Sequence, residues 1–315
     1  MNELVIKPIN QIGNNNFPIE KLKEFYNNID VSEETIRTYK NGIDNFLNWI
    51  KSNNITLIEK QTLIDYKKYL KANYKIGTAS TYLSGVRNLF NFLEEFGVPN
   101  LMRNIKGFKI SKTYKKQPLT KIQANKILSE KSRNIETLKD ARDFLLLNLL
   151  IFNGLRTIEC TRANIDDLLH IDGQIILKIQ GKGKTEKTED AVLTDSVQIA
   201  LFNYLDKRGK DNFEPLFISV SNNDYGSRLT TRSIRRIIKN ILVSNGYNSE
   251  LLTTHSLRHS AITFALKGGA SLQDAKELAR HSNINTTLIY SHNIDRLKNA
   301  PEYYIEKYLH SEDKQ

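Results

Sequence analysis

Residues 253–292 read TTHSLRHSAITFALKGGASLQDAKELARHSNINTTLIYSH. Thr253 or Thr254 suits a helix cap, and Ala261, Ile262, Ala265 and Leu266 supply the apolar stripe that follows. His255 and Arg258 are three residues apart, so on a helix they leave one face and can reach the same small anion. Gly268-Gly269 ends that helix. A second helix is expected over about Leu272 to Arg280, ending at His281, and a third opens near Asn285-Thr286-Thr287 and carries Tyr290.

Upstream lies a near-continuous apolar helix, Ala141 to Phe152, whose run Phe144 to Leu150 marks it as central core. It ends at Asn153-Gly154, and Leu155-Arg156-Thr157-Ile158-Glu159 follows. Taken alone, Arg156 reads as a surface or salt-bridged arginine with Glu159 as its partner at i+3. Cys160 on this turn reads as packing. Gly173 to Gln180 alternates like a strand, and Asp190 to Leu193 is its expected returning partner. Between them GKGKTEKTE makes a Gly- and Lys-rich hairpin tip. Helices are expected around Asp195 to Lys207 and Thr231 to Ser244. The latter repeats Arg232, Arg235, Arg236 and Lys239 at helical spacing, which is either a solvated face or a contact with DNA backbone.

The amino-terminal part divides differently. Residues 1–18 have little periodicity and read as a flexible leader, and 19–102 read as a small helical bundle. One helix starts at Ser32-Glu33-Glu34 and carries Ile36, Tyr39, Ile43, Phe46, Leu47 and Ile50. Another covers about Leu63 to Ala72. A third opens at Thr78 or Ser80, carries Tyr82, Leu83, Val86, Leu89, Phe90, Phe92 and Leu93, and is ended by Gly97 and Pro99. Lys75, Thr78, Ser80, Thr81, Ser84, Arg87 and Asn88 on or beside it offer donors and cations suited to phosphates and groove edges.

Residues 103–118 form a basic linker, with Arg103, Lys106, Lys109, Lys112, Lys115 and Lys116 and no acidic residue among them. Such a run is a solvated extended segment or, between two DNA-facing domains, a set of phosphate contacts. Residues 119–315 then form the second domain, with Thr120 as its first helix cap.

Composition bounds the partner. The 315 residues carry a formal net charge of +11, which favours a polyanion: nucleic acid first, an acidic membrane surface equally on the number alone. A hydrophobic content of 39% excludes global disorder. A single cysteine excludes an intramolecular disulfide and a Cys-based metal site. The apolar run at the amino terminus is too short for a signal peptide, and no segment reaches the ~18 apolar residues of a membrane span, so a cytoplasmic protein that does not bind membranes is expected.

His255 to His259 (H-x-L-R-H), Leu278 to His281 and Thr286 to His292 (T-T-x-x-Y-x-H), taken with Gly154 to Glu159 (G-L-R-x-x-E) and Lys182 in its G-K-G setting, closely resemble the signature of the tyrosine recombinases, the phage integrase and Xer-like family. The resemblance implies a mainly α fold with a small antiparallel β-sheet: a helical core-binding (SAM-like) domain followed by a mixed α+β catalytic domain. It implies that Arg156 and Arg258 bind a scissile phosphate, that Glu159 orients Arg156, that His255 and His281 assist, that Tyr290 is the nucleophile, and that Lys182 is the hairpin lysine, with Lys184 and Lys187 as competitors. Arg280 departs from the glycine many members carry before this histidine.

The chemistry suits the residues. Attack on a phosphodiester builds negative charge on nonbridging oxygens, which two arginine forks are shaped to hold. A tyrosine with a pKa near ~10 attacks poorly until its proton has an acceptor, for which His255 is the candidate. Lys182 can protonate the leaving 5′ oxygen. No metal ligand set and no phosphate-cradling Gly loop is present in the sequence, so no cofactor is expected. The implied function is site-specific DNA recombination through a 3′-phosphotyrosine and a Holliday junction, of the mobile-element integrase/excisionase or Xer-like type. The implied partners are double-stranded DNA with a recombination site and three further copies of the chain in a tetramer on DNA, with a monomer or dimer off it. An accessory DNA-bending or directionality factor is compatible with this. A type IB topoisomerase and a non-catalytic DNA-binding protein are the alternatives. Tyr303, Tyr304 and Tyr308 read as part of a packing helix, which the resemblance makes a subunit-docking tail.

Overall fold

The computed structural model describes residues 5–6, 15–16, 20–109, 117–181, 183–295 and 301–310. They fall into two compact units that divide between Thr113 and Tyr114.

In the first unit, Val5–Ile6 (β1), which falls in the stretch read as a leader, pairs antiparallel with Asn15–Asn16 (β2) and parallel with Leu57–Ile58 (β3). The rest is helical: α1 (Lys21–Asn28), α2 (Glu33–Ser52), α3 (Lys60–Asn73) and α4 (Ile76–Glu94). Ser32 caps α2 by accepting from Thr35 N, and the apolar three-four spacing buries Ile43, Phe46 and Ile50. The α2 and α4 backbones meet through two glycines. A Cβ on Gly42 would lie 2.8 Å from Tyr82 Cα, and one on Gly85 would lie 2.9 Å from the Tyr39 carbonyl oxygen. Side chains are excluded there because two backbones already occupy the space. Phe25, Phe46, Tyr66, Leu83, Val86 and Phe90 complete the core of this unit.

The second unit is built on α6 (Leu138–Phe152), capped by Thr137, whose hydroxyl accepts from Asp140 N. Every residue from Ala141 to Ile151 is buried: the apolar ones as core, and the polar ones with partners, Arg142 and Asp143 paired at 2.7 Å and Asn148 donating to the Phe144 carbonyl. Around α6 pack α5 (Lys121–Arg133), α8 (Asp195–Arg208), α9 (Thr231–Ser244) and α10 (Thr254–Lys267). Thr120 caps α5 by accepting from Gln123 N at 3.2 Å. Leu168–Ile171 (β4), Gln174–Ile179 (β5) and Glu189–Val192 (β6) form an antiparallel sheet in that order, with Leu177 opposite both Leu168 and Ala191. Leu177, Ile179 and Ala191 put one face of it into the core. The six-residue helix α7 (Thr157–Arg162) links α6 to this sheet. Beyond α10 come α11 (Leu272–Ala279), α12 (Asn285–Asp295) and the tail helix α13 (Pro301–Leu309). No helix among the described residues is long and apolar enough to cross a membrane.

Candidate active site

The turn after α6 sets the first arginine. Gly154 sits at φ +57°, a left-handed conformation that a side chain strains, and a Cβ there would press to 3.3 Å on Ala261 Cβ. The chain then starts α7 with Arg156 at the cap. Glu159 accepts from the Arg156 backbone N–H at 2.8 Å and from its Nη1 at 2.6 Å, so one buried carboxylate closes the helix start and fixes the guanidinium.

The second arginine rises from α10. Arg258 is 2% exposed, with Nη1 donating to the Gly154 carbonyl and Nη2 to the Ala279 carbonyl. Ala279 ends α11, where carbonyls lack helical partners and carry the negative end of the dipole. Arg156 Nη2 reaches the neighbouring carbonyls as well, Arg280 O at 3.2 Å and Ala279 O at 3.4 Å. The two arginines therefore converge because the end of one short helix draws both.

Arg280 takes the left-handed conformation itself, at φ +49°. The position needs the glycine conformation, and an arginine occupies it at a backbone strain of about 1–2 kcal/mol. In return its guanidinium is buried, with Nη2 3.1 Å from Glu159 Oε2 and within 3.3 Å of the Asn153 and Gly154 carbonyls. Burial alone would raise the Glu159 carboxyl; the charge of Arg280 and the hydrogen bonds and charge of Arg156 overcome it and hold the carboxyl below its usual range. Burial, then the like charges of Arg156 and Arg280, pulls Arg258 down to about 9, which leaves it charged at neutral pH.

The three arginines line a cleft of about 850 Å³ together with His255, His259, His281, Lys184 and Tyr290, with Glu159 buried behind them. His255 is exposed. His281 faces Thr287, Nδ1 to Oγ1 at 2.9 Å, and burial followed by the charges of Arg258, Arg156 and Arg280 pushes it down to about 4. Tyr290 is 6% exposed and packs on Ile262, Ala275 and Ala279. Its Oη is hydrogen-bonded to His259 Nδ1, a residue that has no role in the sequence-based reading. The signal was available in the i+4 spacing of His255 and His259, whose rings meet edge-on at 4.4 Å. Cys160 is fully buried, and burial, then Glu159, pushes its thiol up, as suits a packing residue.

Among the hairpin lysines, Lys184 borders the cleft and pairs with Glu189 at 2.9 Å, whereas Lys187 is held on Asp167 at 2.6 Å. Lys182 lies outside the described residues, as do Lys112, Lys115 and Lys116. Lys75, Thr78 and Lys109 are exposed in the first unit, and Ser80 is half-buried. Thr81 and Ser84 turn their hydroxyls back onto the Gly77 and Ser80 carbonyls, and Arg87 ties α4 to the Ile105 carbonyl at 2.9 Å. Arg232, Arg235 and Arg236 form an exposed row on α9, while Lys239 donates to the Ser249 carbonyl.

An amino-terminal helical bundle and a helical unit bearing two converging arginines, histidines and a tyrosine on one cleft define the tyrosine recombinase class. Residues 117–296 match the model of the phage integrase family, and 22–97 match the phage integrase N-terminal SAM-like domain. The chain is 31% identical over 285 residues to the tyrosine recombinase XerC of Thermodesulfovibrio yellowstonii, covering 87% of this chain and 89% of that protein. It is 27% identical over 273 residues to XerD of Listeria innocua, covering 83% and 89%. The fold is shared with the XerH site-specific recombinase bound to palindromic difH substrate (TM-score 0.71, 22% identity, 86% of this chain and 80% of that one). It is also shared with lambda integrase (75–356) bound as a dimer to a COC′ core site (TM-score 0.63, 16% identity, 84% and 94%). This chain belongs to the phage integrase family of tyrosine recombinases.

Proposed function

We propose that the protein is a site-specific DNA recombinase that breaks and rejoins strands through Tyr290. The observation that carries this is the convergence of Arg156, Arg258, His281 and Tyr290 on one cleft from the start of α7, α10, the turn after α11 and α12. Arg156 and Arg258 take the nonbridging oxygens of the scissile phosphate, with Glu159 and Arg280 holding them in place. His255 on the exposed rim and His281 hydrogen-bond the same phosphate. Attack by Tyr290 leaves a 3′-phosphotyrosine and a 5′ hydroxyl that takes its proton from Lys182, with Lys184 as the competing donor. A 5′ hydroxyl from a second duplex reverses the step on a new partner, which makes a Holliday junction.

Double-stranded DNA is the partner, approached by the α9 arginine row and by Lys75, Thr78, Lys109 and the linker lysines Lys112, Lys115 and Lys116. Tyr303, Tyr304, Ile305, Tyr308 and Leu309 are all exposed on α13, which supports docking of this helix on a neighbouring copy in a tetramer.

Covalent trapping tests the reading. The protein is mixed, in chelator, with supercoiled plasmid bearing the DNA that flanks its own gene, beside a plasmid lacking it and a Tyr290→Phe protein. A detergent-stable adduct that needs both the flanking DNA and Tyr290 is the expected result. Relaxation of any plasmid means a topoisomerase, and salt-sensitive binding without adduct means a DNA-binding protein without this chemistry.

A further inference from the structure

We infer that His259 is the group that takes the proton from Tyr290 during attack. The inference rests on the recombinase reading above and assigns within it the acceptor that a phenol nucleophile needs, to His259, which is hydrogen-bonded to Tyr290 Oη, in place of the exposed His255 expected from the sequence.

His259 is 3% exposed and sits on α10 one position after Arg258, while Tyr290 comes from α12. The hydrogen bond between Tyr290 Oη and His259 Nδ1 joins the reacting oxygen to a ring nitrogen inside the protein, away from bulk water. In this geometry an unprotonated Nδ1 accepts from the phenol, so the phenol's proton points at the imidazole and away from the phosphate. The charged and titratable groups around the ring are His255, ring to ring at 4.4 Å, Arg258 on the same helix, His281 beyond α11, and Tyr290 itself. Burial first, then the charges of His255, Arg258 and His281, keeps His259 down to about 3, so it stands neutral and ready to accept at any physiological pH.

The same cations make its basicity depend on substrate. A phosphodiester in the cleft neutralises the arginine charges that oppose an imidazolium, and the charge that builds on its oxygens during attack opposes them further. His259 is a weak base in the empty site and a stronger one when the arginines are occupied. The step balances: the Oη–P bond forms, the P–O5′ bond breaks, the phenol proton moves to Nδ1, and the 5′ oxygen is protonated by the hairpin lysine. On rejoining, the imidazolium returns its proton to Oη as the tyrosine leaves.

The test compares wild type with His259→Asn. The Asn amide oxygen can stand where Nδ1 stands and accept the phenol's hydrogen bond, but it cannot carry the proton. The substrate is the duplex the wild type cleaves, prepared with a 5′-bridging sulfur so that the leaving thiolate needs no acid and only the nucleophile's proton limits the rate. The readout is covalent adduct against pH, with circular dichroism and DNA affinity checking that the variant folds and binds. General-base loss predicts an adduct rate lower by roughly 10²–10⁴-fold. It also predicts that sulfur does not restore the rate, and that the rate climbs with pH where the wild type is level. Adduct formation by His259→Asn within threefold of wild type, with the same profile, overturns the inference and leaves the recombinase reading intact. Failure of the wild type on every DNA tried refutes both. Nitrogen-15 spectra without DNA give an independent arm: Nδ1 unprotonated and shifted by Tyr290→Phe is expected, and a protonated Nδ1 overturns the assignment.

Discussion

Replacing Glu159 with Gln removes the one carboxylate that stands between Arg156 and Arg280. Its side chain is fully buried and touches the two guanidiniums at 2.6 and 3.1 Å. At an effective dielectric of about 20, a unit-charge contact near 3 Å is worth roughly 5 kcal/mol before desolvation is subtracted. The amide keeps an acceptor but turns an N–H toward one of the cations, and it leaves the half-buried Arg156 and the buried Arg258 without that counter-charge and Arg280 with only Glu189, 4.0 Å from its Nε. Measured losses for such broken buried pairs lead to an expected destabilisation of about 3–5 kcal/mol. In a unit of about 200 residues that lowers the melting temperature by roughly 10 °C. The sign of the pH dependence follows from the depressed carboxyl. Its contribution is complete above the ordinary value of 4.5 and is lost as pH falls through the lower value of the folded protein, so wild type and variant converge in acid. The assay is thermal unfolding by circular dichroism at pH 7 and near pH 3, with and without sulfate. Sulfate should restore the variant more than it helps the wild type, because the anion replaces the missing charge. Equal melting temperatures at pH 7, or a gap that persists undiminished in acid, would refute the reasoning.

Gly85→Ala drives a methyl into the Tyr39 carbonyl and should cost about 1–3 kcal/mol, read as a lower urea midpoint from the single tryptophan, Trp49. Gly77→Ala on the same helix meets nothing within 4 Å and should match or exceed wild type. Arg280→Gly suits the left-handed backbone yet leaves Glu159 with one fewer cation. It should melt below wild type, and a more stable variant would show that strain outweighs the ion pair. Lys182→Ala should lose adduct formation on ordinary DNA and regain it with the 5′-bridging sulfur, whereas Lys184→Ala should stay within tenfold of wild type on both. The reverse pattern would make Lys184 the acid.

What the sequence revealed was local. The limits of α9 and the Gly268-Gly269 stop of α10 fall where periodicity and breakers put them, and Thr120 and Ser32 cap the helices they precede. The short pieces, α7 and β4, escaped because six and four residues carry too little periodicity to stand out. The α4 donors expected to face DNA are a different matter. Composition marks Thr81, Ser84 and Arg87 as available, and only the fold shows that all three are bonded to carbonyls of the same unit. In the site, the family resemblance singles out the arginines and the tyrosine that the fold brings to one cleft, but the contact of His259 with Tyr290 joins residues 31 apart through a helix crossing. Arg280 stands out in the sequence as a departure from glycine, whereas its partnership with Glu159 across 121 residues is visible only in the packing.

The burial of Cys160 turns this chain into a ready host for reporters. With its one native thiol sealed in the core and held far from the thiolate, a single cysteine introduced on an exposed helix would be the only site a maleimide dye could reach. Phe202, 54% exposed on α8 and away from the α13 face proposed to dock, is one such position, and a dye there would test whether copies of the protein come together on DNA without any prior removal of cysteines.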